Sequence, residues 1–198
     1  MKELTPKQKE RLKPKIAGIR KVLAAEKRKF GWYSDSRGLR YLSPELYIKL
    51  QDYKGGLTYL RWFRKNFPDD MGFPDFLFEW TLILFKNSKE KEARRKALET
   101  WFTNTCLFDK FFGRPVVPID KYEGFNQEAA VFAKNFTYTA GQAGLEDFAH
   151  WLEQLERSEK FMDCTNRILV LGKQLNTEDD SMKRMVLLAK ERQLLEDY

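Results

Sequence analysis

The chain has 198 residues, of which 42% are hydrophobic, 33% are charged and 15% are aromatic. This length and composition fit one globular domain with a substantial core, and they exclude a largely disordered chain. Residues 1–30 hold eleven basic and three acidic residues, a net charge of +8, whereas the remainder holds 25 basic and 26 acidic residues, a net charge of −1. Attraction to an anionic partner is therefore expected from the N-terminal 30 residues.

No stretch of the sequence has the length and apolar character of a signal peptide or a membrane span, which predicts a cytoplasmic protein without a membrane partner. The two cysteines, Cys106 and Cys164, are too few for a disulfide framework. Each is interpreted as a small buried hydrophobic residue, and a single bridge between them stays open. No cofactor and no metal are expected, because no catalytic or phosphate-binding motif is present.

The basic N-terminal segment, residues 1–30, is predicted to form an amphipathic helix. Its apolar residues recur at helical spacing and form one stripe, Leu12, Ile16, Ile19 and Leu23. Thr5-Pro6 is a suitable helix start because proline is tolerated in the first turn, whereas Pro14 predicts a break or kink. The stretch Gly31–Gly38 then predicts a linker to a single all-helical domain, residues 39–198.

Helical periodicity continues in segments at about residues 39–53, 54–67, 73–85, 89–113, 126–138, 145–157, 158–175 and from Glu178 or Asp180 onward. The paired glycines Gly55-Gly56 predict a close approach between helices at a position where a methyl group would crowd. The acidic cluster at 178–180 is predicted to cap the last helix, which is expected to pack through Met182, Met185, Val186, Leu188 and Leu195. No alternating strand pattern occurs, so the predicted fold class is all-α.

Residues 41–101 resemble two consecutive tetratricopeptide repeats. In the first repeat, Tyr47 occupies the aromatic position of the first helix, Gly56 the small-residue position of the second helix and Pro68 the closing proline. In the second repeat the corresponding places are taken by Leu84, Ser88, Ala93 and Ala97. The small residues of the two repeats are 37 positions apart, against about 34 in the standard repeat. The chain departs from the pattern at Arg40, Pro44, Leu77 and Thr81.

This resemblance implies stacked antiparallel helical hairpins, a tetratricopeptide-like superhelix, with N- and C-terminal helices completing the core. It also implies a non-enzymatic protein-interaction module whose concave face binds a peptide or another protein. The residues expected at exposed positions of that face are Tyr47, Lys49, Glu79 and Lys86. A helical bundle whose hairpins match the repeat by chance is the alternative, and the oligomeric state stays open.

The basic segment supports a second hypothesis, nucleic-acid binding through residues 1–33. Lysine and arginine side chains neutralise phosphate groups, and an aromatic side chain can stack on bases. The candidate residues are Lys13, Lys15, Arg20, Lys21, Lys27, Arg28, Lys29 and Trp32. The alternative interpretation is a solvated helix that packs its apolar stripe, Leu12 to Leu23, on the body of the protein.

His150, the only histidine, supports a third hypothesis, an enzyme of unrecognised type. Glu146 and Glu153 lie four residues before it and three residues after it, so the three side chains share one face of a predicted helix. Carboxylate and imidazole groups on one face can bind a metal, but a stable site needs about three or four ligands. A surface histidine that makes a local pair is therefore the preferred interpretation.

Overall fold

The structure, a computed structural model, describes residues 5–117, 119 and 130–198. Within these ranges the secondary structure consists of ten α-helices and one 3₁₀ turn without any β-strand, which confirms the predicted all-α class. The chain divides into two compact units with a boundary between Lys89 and Glu90, called here the N-terminal unit and the C-terminal unit. The predicted division into a segment 1–30 and a domain 39–198 stays a prediction.

The N-terminal unit contains the helices α1 (Pro6–Phe30), α2 (Ser43–Leu50), α3 (Tyr53–Asn66) and α4 (Pro74–Lys86), with the 3₁₀ turn Leu39–Tyr41 before α2. The helices described in the C-terminal unit are α5 (Glu90–Thr103), α6 (Cys106–Phe112), α7 (Ala130–Lys134), α8 (Glu146–Glu156), α9 (Glu159–Thr177) and α10 (Ser181–Asp197). None of the helices in the described ranges combines the length and the apolar character needed to cross a bilayer.

Helix α1 starts at a capping box. The Thr5 hydroxyl accepts a hydrogen bond from Gln8 N at 3.3 Å, and the Gln8 side-chain oxygen accepts one from Thr5 N at 2.9 Å. The helix continues through Pro14, so the predicted break there is wrong, whereas the alternative of a kink stays a prediction. Because Pro14 lies on the exposed side of the helix, the backbone carbonyl that its ring leaves without an N–H partner can be hydrated instead.

The apolar stripe of α1 packs onto the N-terminal unit, as its spacing predicts. Ile16 and Leu23 are buried, and Leu12 and Ile19 are half-buried. Helix α1 packs mainly against α2 and also contacts the 3₁₀ turn. Most of its charged residues are exposed on the remaining sides. The basic helix is therefore part of the core of this unit, with its charges on the surface.

Helices α2, α3 and α4 approach each other closely because a glycine lies at their shared contact. A Cβ atom on Gly56 would lie 2.9 Å from Ile83 Cδ1 and 3.3 Å from Tyr47 Cβ, so even a methyl group would be crowded. This confirms the close approach predicted from the paired glycines. Beside this contact, the buried ring of Phe63 lies 4.7 Å from that of Phe76, centroid to centroid. Aromatic pairs of this kind stabilise a core beyond the burial of their surface.

A buried ionic cluster joins the loop after α1 to the loop after α3. The fully buried Asp35 carboxylate accepts hydrogen bonds from Leu39 N at 2.8 Å and from Arg40 N at 2.9 Å. The Arg40 guanidinium donates to Asp35 at 3.1 Å and to Asp70 at 2.7 Å. The Tyr41 hydroxyl also donates to Asp70 at 2.7 Å. Because a buried charge without partners is strongly destabilising, these contacts hold the two loops in place.

The same cluster should make the protein sensitive to alkaline pH. Burial, and then the hydrogen bond to Asp70, raises the pKa of Tyr41 from 10.0 to about 12, and burial also raises the pKa of Tyr59. Since the unfolded state then loses its proton first, the stability that Tyr41 contributes is complete below pH 10 and is lost as the pH rises toward about 12. We expect the urea midpoint of unfolding to fall over this range.

The Tyr41→Phe variant distinguishes the contribution of Tyr41 from a general loss of stability at alkaline pH. It should be less stable than the parent protein at neutral pH, because the hydrogen bond to Asp70 is lost. Its urea midpoint should nevertheless fall less steeply between neutral and alkaline pH, because position 41 then carries no ionisable group. A fall as steep as that of the parent protein would show that Tyr41 does not titrate in the assigned way.

One predicted helix of the C-terminal unit, at about residues 89–113, is two helices in the structure. Helix α5 ends at Thr103 and α6 begins at Cys106, so the prediction of a single run is wrong. Asn104 between them is buried, and its side-chain oxygen accepts a hydrogen bond from Cys106 N at 3.1 Å. Short polar side chains of this kind compete with the helix for backbone groups. Helix α6 ends as predicted at Gly113, whose φ is +66°.

Helices α8 and α9 form where the sequence predicts them, with ends that differ by at most two residues. Of the predicted helix at 126–138, residues 126–129 lie outside the described residues, and α7 ends at Lys134, so the predicted end near Tyr138 is wrong. Cys106 in α6 and Cys164 in α9 are both buried free thiols, which confirms their interpretation as small buried hydrophobic residues. The prediction of antiparallel hairpins stacked into a tetratricopeptide-like superhelix stays a prediction.

The face of α10 that packs on the C-terminal unit is only half-buried and differs from the one expected. Its cap is as predicted, since Asp180 Oδ1 accepts hydrogen bonds from Met182 N and Lys183 N at 2.9 Å. Most residues expected to pack inward are exposed, namely Met182, Met185, Val186 and Leu188, while Leu195 is half-buried. The expected packing is wrong because α10 is apolar on more than one face, so periodicity alone does not identify the buried one.

Candidate functional site

A groove of about 990 Å³ lies between α1 and the C-terminal end of α2, within the N-terminal unit. Its apolar lining comes from both helices and consists of Pro6, Ile16, Ala17, Tyr47 and Leu50. Its charged lining consists of Lys9, Glu10, Lys13, Arg20 and Asp52. This α1–α2 groove therefore combines a place for an apolar side chain with an excess of positive charge.

Tyr47 forms the floor of the groove on the α2 side. It is only 8% exposed, and its ring lies 6.1 Å from the ring of Tyr59 in α3. Burial raises the pKa of Tyr47, and the nearby Arg20 acts in the opposite direction. The tyrosine is thus neutral at physiological pH. The absence of a side chain at Gly56 leaves room for Tyr47, since a Cβ atom there would lie 3.3 Å from Tyr47 Cβ.

The carboxylates of the groove already have hydrogen-bond donors. Glu10 pairs with Lys13 at 2.8 Å, and this hydrogen bond raises the pKa of Lys13. The Asp52 side chain caps α3 by accepting a hydrogen bond from Gly55 N at 2.9 Å. These contacts do not remove the charge of the two carboxylates, so the groove lining, with Lys9, Lys13 and Arg20, keeps a net charge of +1, which favours an anionic group.

The four residues predicted for the concave face differ in how they are placed. Tyr47 lines the α1–α2 groove but is otherwise buried, and Glu79 in α4 is 5% exposed, so the exposure expected for both is wrong. Glu79 is covered because α4 packs against both α2 and α3. Lys49 pairs with Glu45 one turn earlier in α2, and Lys86 Nζ lies 5.6 Å above the ring of Tyr53. Their role in partner binding stays a prediction.

The residues predicted for nucleic-acid binding are distributed over several parts of α1. Two of them, Lys13 and Arg20, line the α1–α2 groove. The others on the helix are exposed, namely Lys15, Lys21, Lys27, Arg28 and Lys29. Trp32, just beyond the helix, is 66% exposed. The structure thus brings two cations of the nucleic-acid hypothesis together with Tyr47 of the protein-binding hypothesis.

His150 is an exposed residue of α8 with a local partner, as the preferred interpretation expects. Its Nε2 lies 2.9 Å from Gln154 Nε2. Glu146 accepts a hydrogen bond from a backbone N–H at 2.8 Å, and Glu153 pairs with Arg157 at 2.7 Å. Within the ranges that the structure describes, no group of three or more His, Cys, Asp or Glu residues is placed to hold a metal ion.

Sequence reasoning misses the groove as a unit, because nothing in the sequence places Leu50 and Asp52, near the α2–α3 turn, beside α1. A partial signal is present in α1, where cations and apolar residues share one helix face at positions 9, 13, 16, 17 and 20. This pattern in α1 does not predict which helix packs beside that face. Comparisons of the chain with protein-family models, with curated proteins and with solved structures find no match in any of the three.

Proposed function

We propose that this protein is a non-enzymatic interaction module that binds an acidic peptide, or an acidic segment of a partner protein, in the α1–α2 groove. The observation that carries the proposal is the composition of the groove, an apolar floor at Tyr47 and Leu50 beside three cations. Its volume of about 990 Å³ lies at the upper end of the usual range for ligand pockets. A peptide can therefore place several side chains in it.

The charge of α1 favours an acidic partner over a neutral one. Between Pro6 and Phe30 the helix carries ten basic and two acidic residues. Such a field speeds the encounter with anions and disfavours basic partners. In the groove, an apolar anchor side chain would contact Ile16 and Tyr47, where burial contributes about 1.5–3 kcal/mol. Acidic side chains beside the anchor would face Lys9 and Arg20.

The resemblance to tetratricopeptide repeats supports the same class of function. Helix α2, which lines the groove, is the first helix of the first predicted hairpin. It packs against α3 and α4, which also pack against each other within the N-terminal unit. In this proposal the binding surface is the groove that α1 forms together with α2, rather than the whole of a concave face.

Selection of peptides from a random display library on the immobilised protein tests the proposal. We expect the selected peptides to carry Asp or Glu beside an aliphatic or aromatic residue and to bind more weakly as salt is added. Ala17→Trp fills the groove and should weaken binding at least about tenfold. Ala25→Trp is the matched control, since Ala25 is exposed on the same helix and does not line the groove.

Three results would count against this function. The first is a set of selected peptides without acidic enrichment, and the second is equal affinity for the parent protein and Ala17→Trp. The third is the failure of the library to yield any binder. Loss of binding in Ala25→Trp as well as in Ala17→Trp would place the contact outside the groove.

A second candidate function, nucleic-acid binding, is favoured by exposed residues near the C-terminal end of α1. Lys21, Arg28 and Trp32 are all exposed there, which suits phosphate contact and base stacking. Deleting residues 1–33 would be a poor test, because it removes the buried Leu23 from the core. A more specific test replaces the three exposed residues by alanine. The variant and the parent protein are then titrated with single-stranded RNA and DNA at two salt concentrations. Unchanged affinity in the triple variant, or no binding by the parent protein, would exclude this candidate.

A further inference from the structure

The outer face of α10 carries an apolar stripe that remains exposed in the described part of the chain. Met182, Met185 and Val186 follow the i, i+3, i+4 spacing and are 69%, 65% and 52% exposed. Ala189, exposed one turn further on, extends the stripe. Contiguous apolar surface of this kind is typical of interaction sites. Methionine suits such a surface because its flexible side chain adapts to a partner.

The stripe is not needed to hold α10 on the C-terminal unit, because other contacts do so. Arg184 Nη1 donates hydrogen bonds to Leu175 O at 2.6 Å and to Glu178 O at 2.8 Å near the start of the helix. At the other end, Lys160 Nζ donates to Tyr198 O at 2.9 Å. Helix α10 packs against α9 and α5. Its inner face is thus occupied, and its apolar outer face is exposed among the described residues.

A second copy of the same chain fits the charges that flank the stripe. The centre of the stripe lies between Met185 and Val186, with the exposed Asp179 before it and the exposed Arg192 after it at equal distances along the chain. Two α10 helices paired antiparallel about this centre would bring Asp179 of each copy opposite Arg192 of the other. Lys190, also exposed, would lie within one turn of the same carboxylate. A parallel pairing would instead place like charges opposite each other, which is unfavourable.

A groove beside the stripe gives the second copy a place for its side chains. It has a volume of about 560 Å³ and lies between α10 and the end of α9. Met182 and Val186 of the stripe line it, together with Lys190. In an antiparallel pair, twofold symmetry makes every contact occur twice. One methionine from each copy could therefore enter the groove of the other.

We propose that α10 mediates a symmetric dimer in which two α10 helices pack antiparallel through Met182, Met185, Val186 and Ala189. The dimer is in equilibrium with the monomer, because one 17-residue helix per copy offers an interface at the small end of the range for specific complexes. None of the residues of this interface lines the α1–α2 groove.

Sedimentation equilibrium of the full chain over a wide concentration range tests the proposal. The parent protein should show a monomer–dimer equilibrium, and Met185→Glu should weaken it at least about tenfold, since a charge would be buried at the centre of the interface. Met162→Glu is the matched control, because Met162 is exposed on α9 and does not belong to the stripe. A parent protein that stays monomeric, or equal effects of the two substitutions, would overturn the proposal.

The charges test the antiparallel arrangement separately. Asp179→Arg and Arg192→Asp should each weaken the dimer, because each places like charges opposite one another. The double variant should recover most of the affinity, since it recreates both pairs with their signs exchanged. A dimer that is lost in Met185→Glu but is unaffected by the single charge reversals would overturn this arrangement, and so would a double variant as weak as the single ones.

Discussion

Arg40→Ala is expected to destabilise the N-terminal unit by about 3–5 kcal/mol, the usual effect of removing one partner of a buried ion pair. The substitution leaves the fully buried carboxylate of Asp35 without its guanidinium and also removes the 2.7 Å contact to Asp70. Two backbone N–H groups still donate to Asp35, but they do not neutralise its charge. The loop after α1 should therefore loosen together with the loop after α3.

Urea denaturation followed by tryptophan fluorescence measures this effect. Arg37→Ala is the matched control, because Arg37 lies in the same loop and is exposed, and it should change the midpoint little. Arg40→Lys should fall between the two, since lysine retains the charge but cannot make the two directed contacts of a guanidinium. An Arg40→Ala variant as stable as Arg37→Ala would show that the cluster does not hold the loops.

Gly56→Val is expected to destabilise the same unit by about 2–3 kcal/mol through overpacking. A Cβ atom at this position already lies 2.9 Å from Ile83 Cδ1, and valine adds two more carbon atoms. The displaced atoms belong to buried side chains on both sides, Ile83 in α4 and Tyr47 in α2. Because Tyr47 forms the floor of the α1–α2 groove, peptide binding should weaken together with stability.

A glycine elsewhere in the unit provides the control for Gly56. Gly18 lies within α1, and a Cβ atom built there would meet nothing within 4 Å. Gly18→Val should therefore be neutral or slightly stabilising, because valine has a better helix propensity than glycine. Thermal or urea unfolding of the two variants gives the comparison. If the two substitutions had the same effect, close packing at Gly56 would not be the reason for its glycine.

Much of the fold can be predicted from the sequence, because the helical spacing of apolar residues and the capping residues identify long helices. The stripe from Leu12 to Leu23 predicts the buried side of α1, and Asp180 predicts the start of α10. The features that the sequence does not predict depend on tertiary contacts. The break at Asn104 depends on a buried polar side chain, and the buried face of α10 depends on where α9 lies, since α10 is apolar on more than one side.

For the α1–α2 groove too, the sequence predicts individual residues but not which of them lie together in space. Tyr47, Lys13 and Arg20 are each predicted as functional, but under two different hypotheses, because nothing in the sequence says that α1 packs beside α2. The cluster of Asp35, Arg40 and Asp70 joins residues about 30 positions apart in two loops, and loops carry no periodicity. Such pairings follow from the fold and are visible only once it is known.

The central claim, that the α1–α2 groove binds an acidic peptide segment, is tested most directly by nuclear magnetic resonance. The isotope-labelled protein would be titrated with an acidic peptide obtained from the library selection. The account predicts that the largest shifts map to Ile16, Ala17 and Leu50 and that they disappear in Ala17→Trp. Shifts confined to other surfaces, such as the region around Lys86, would contradict it.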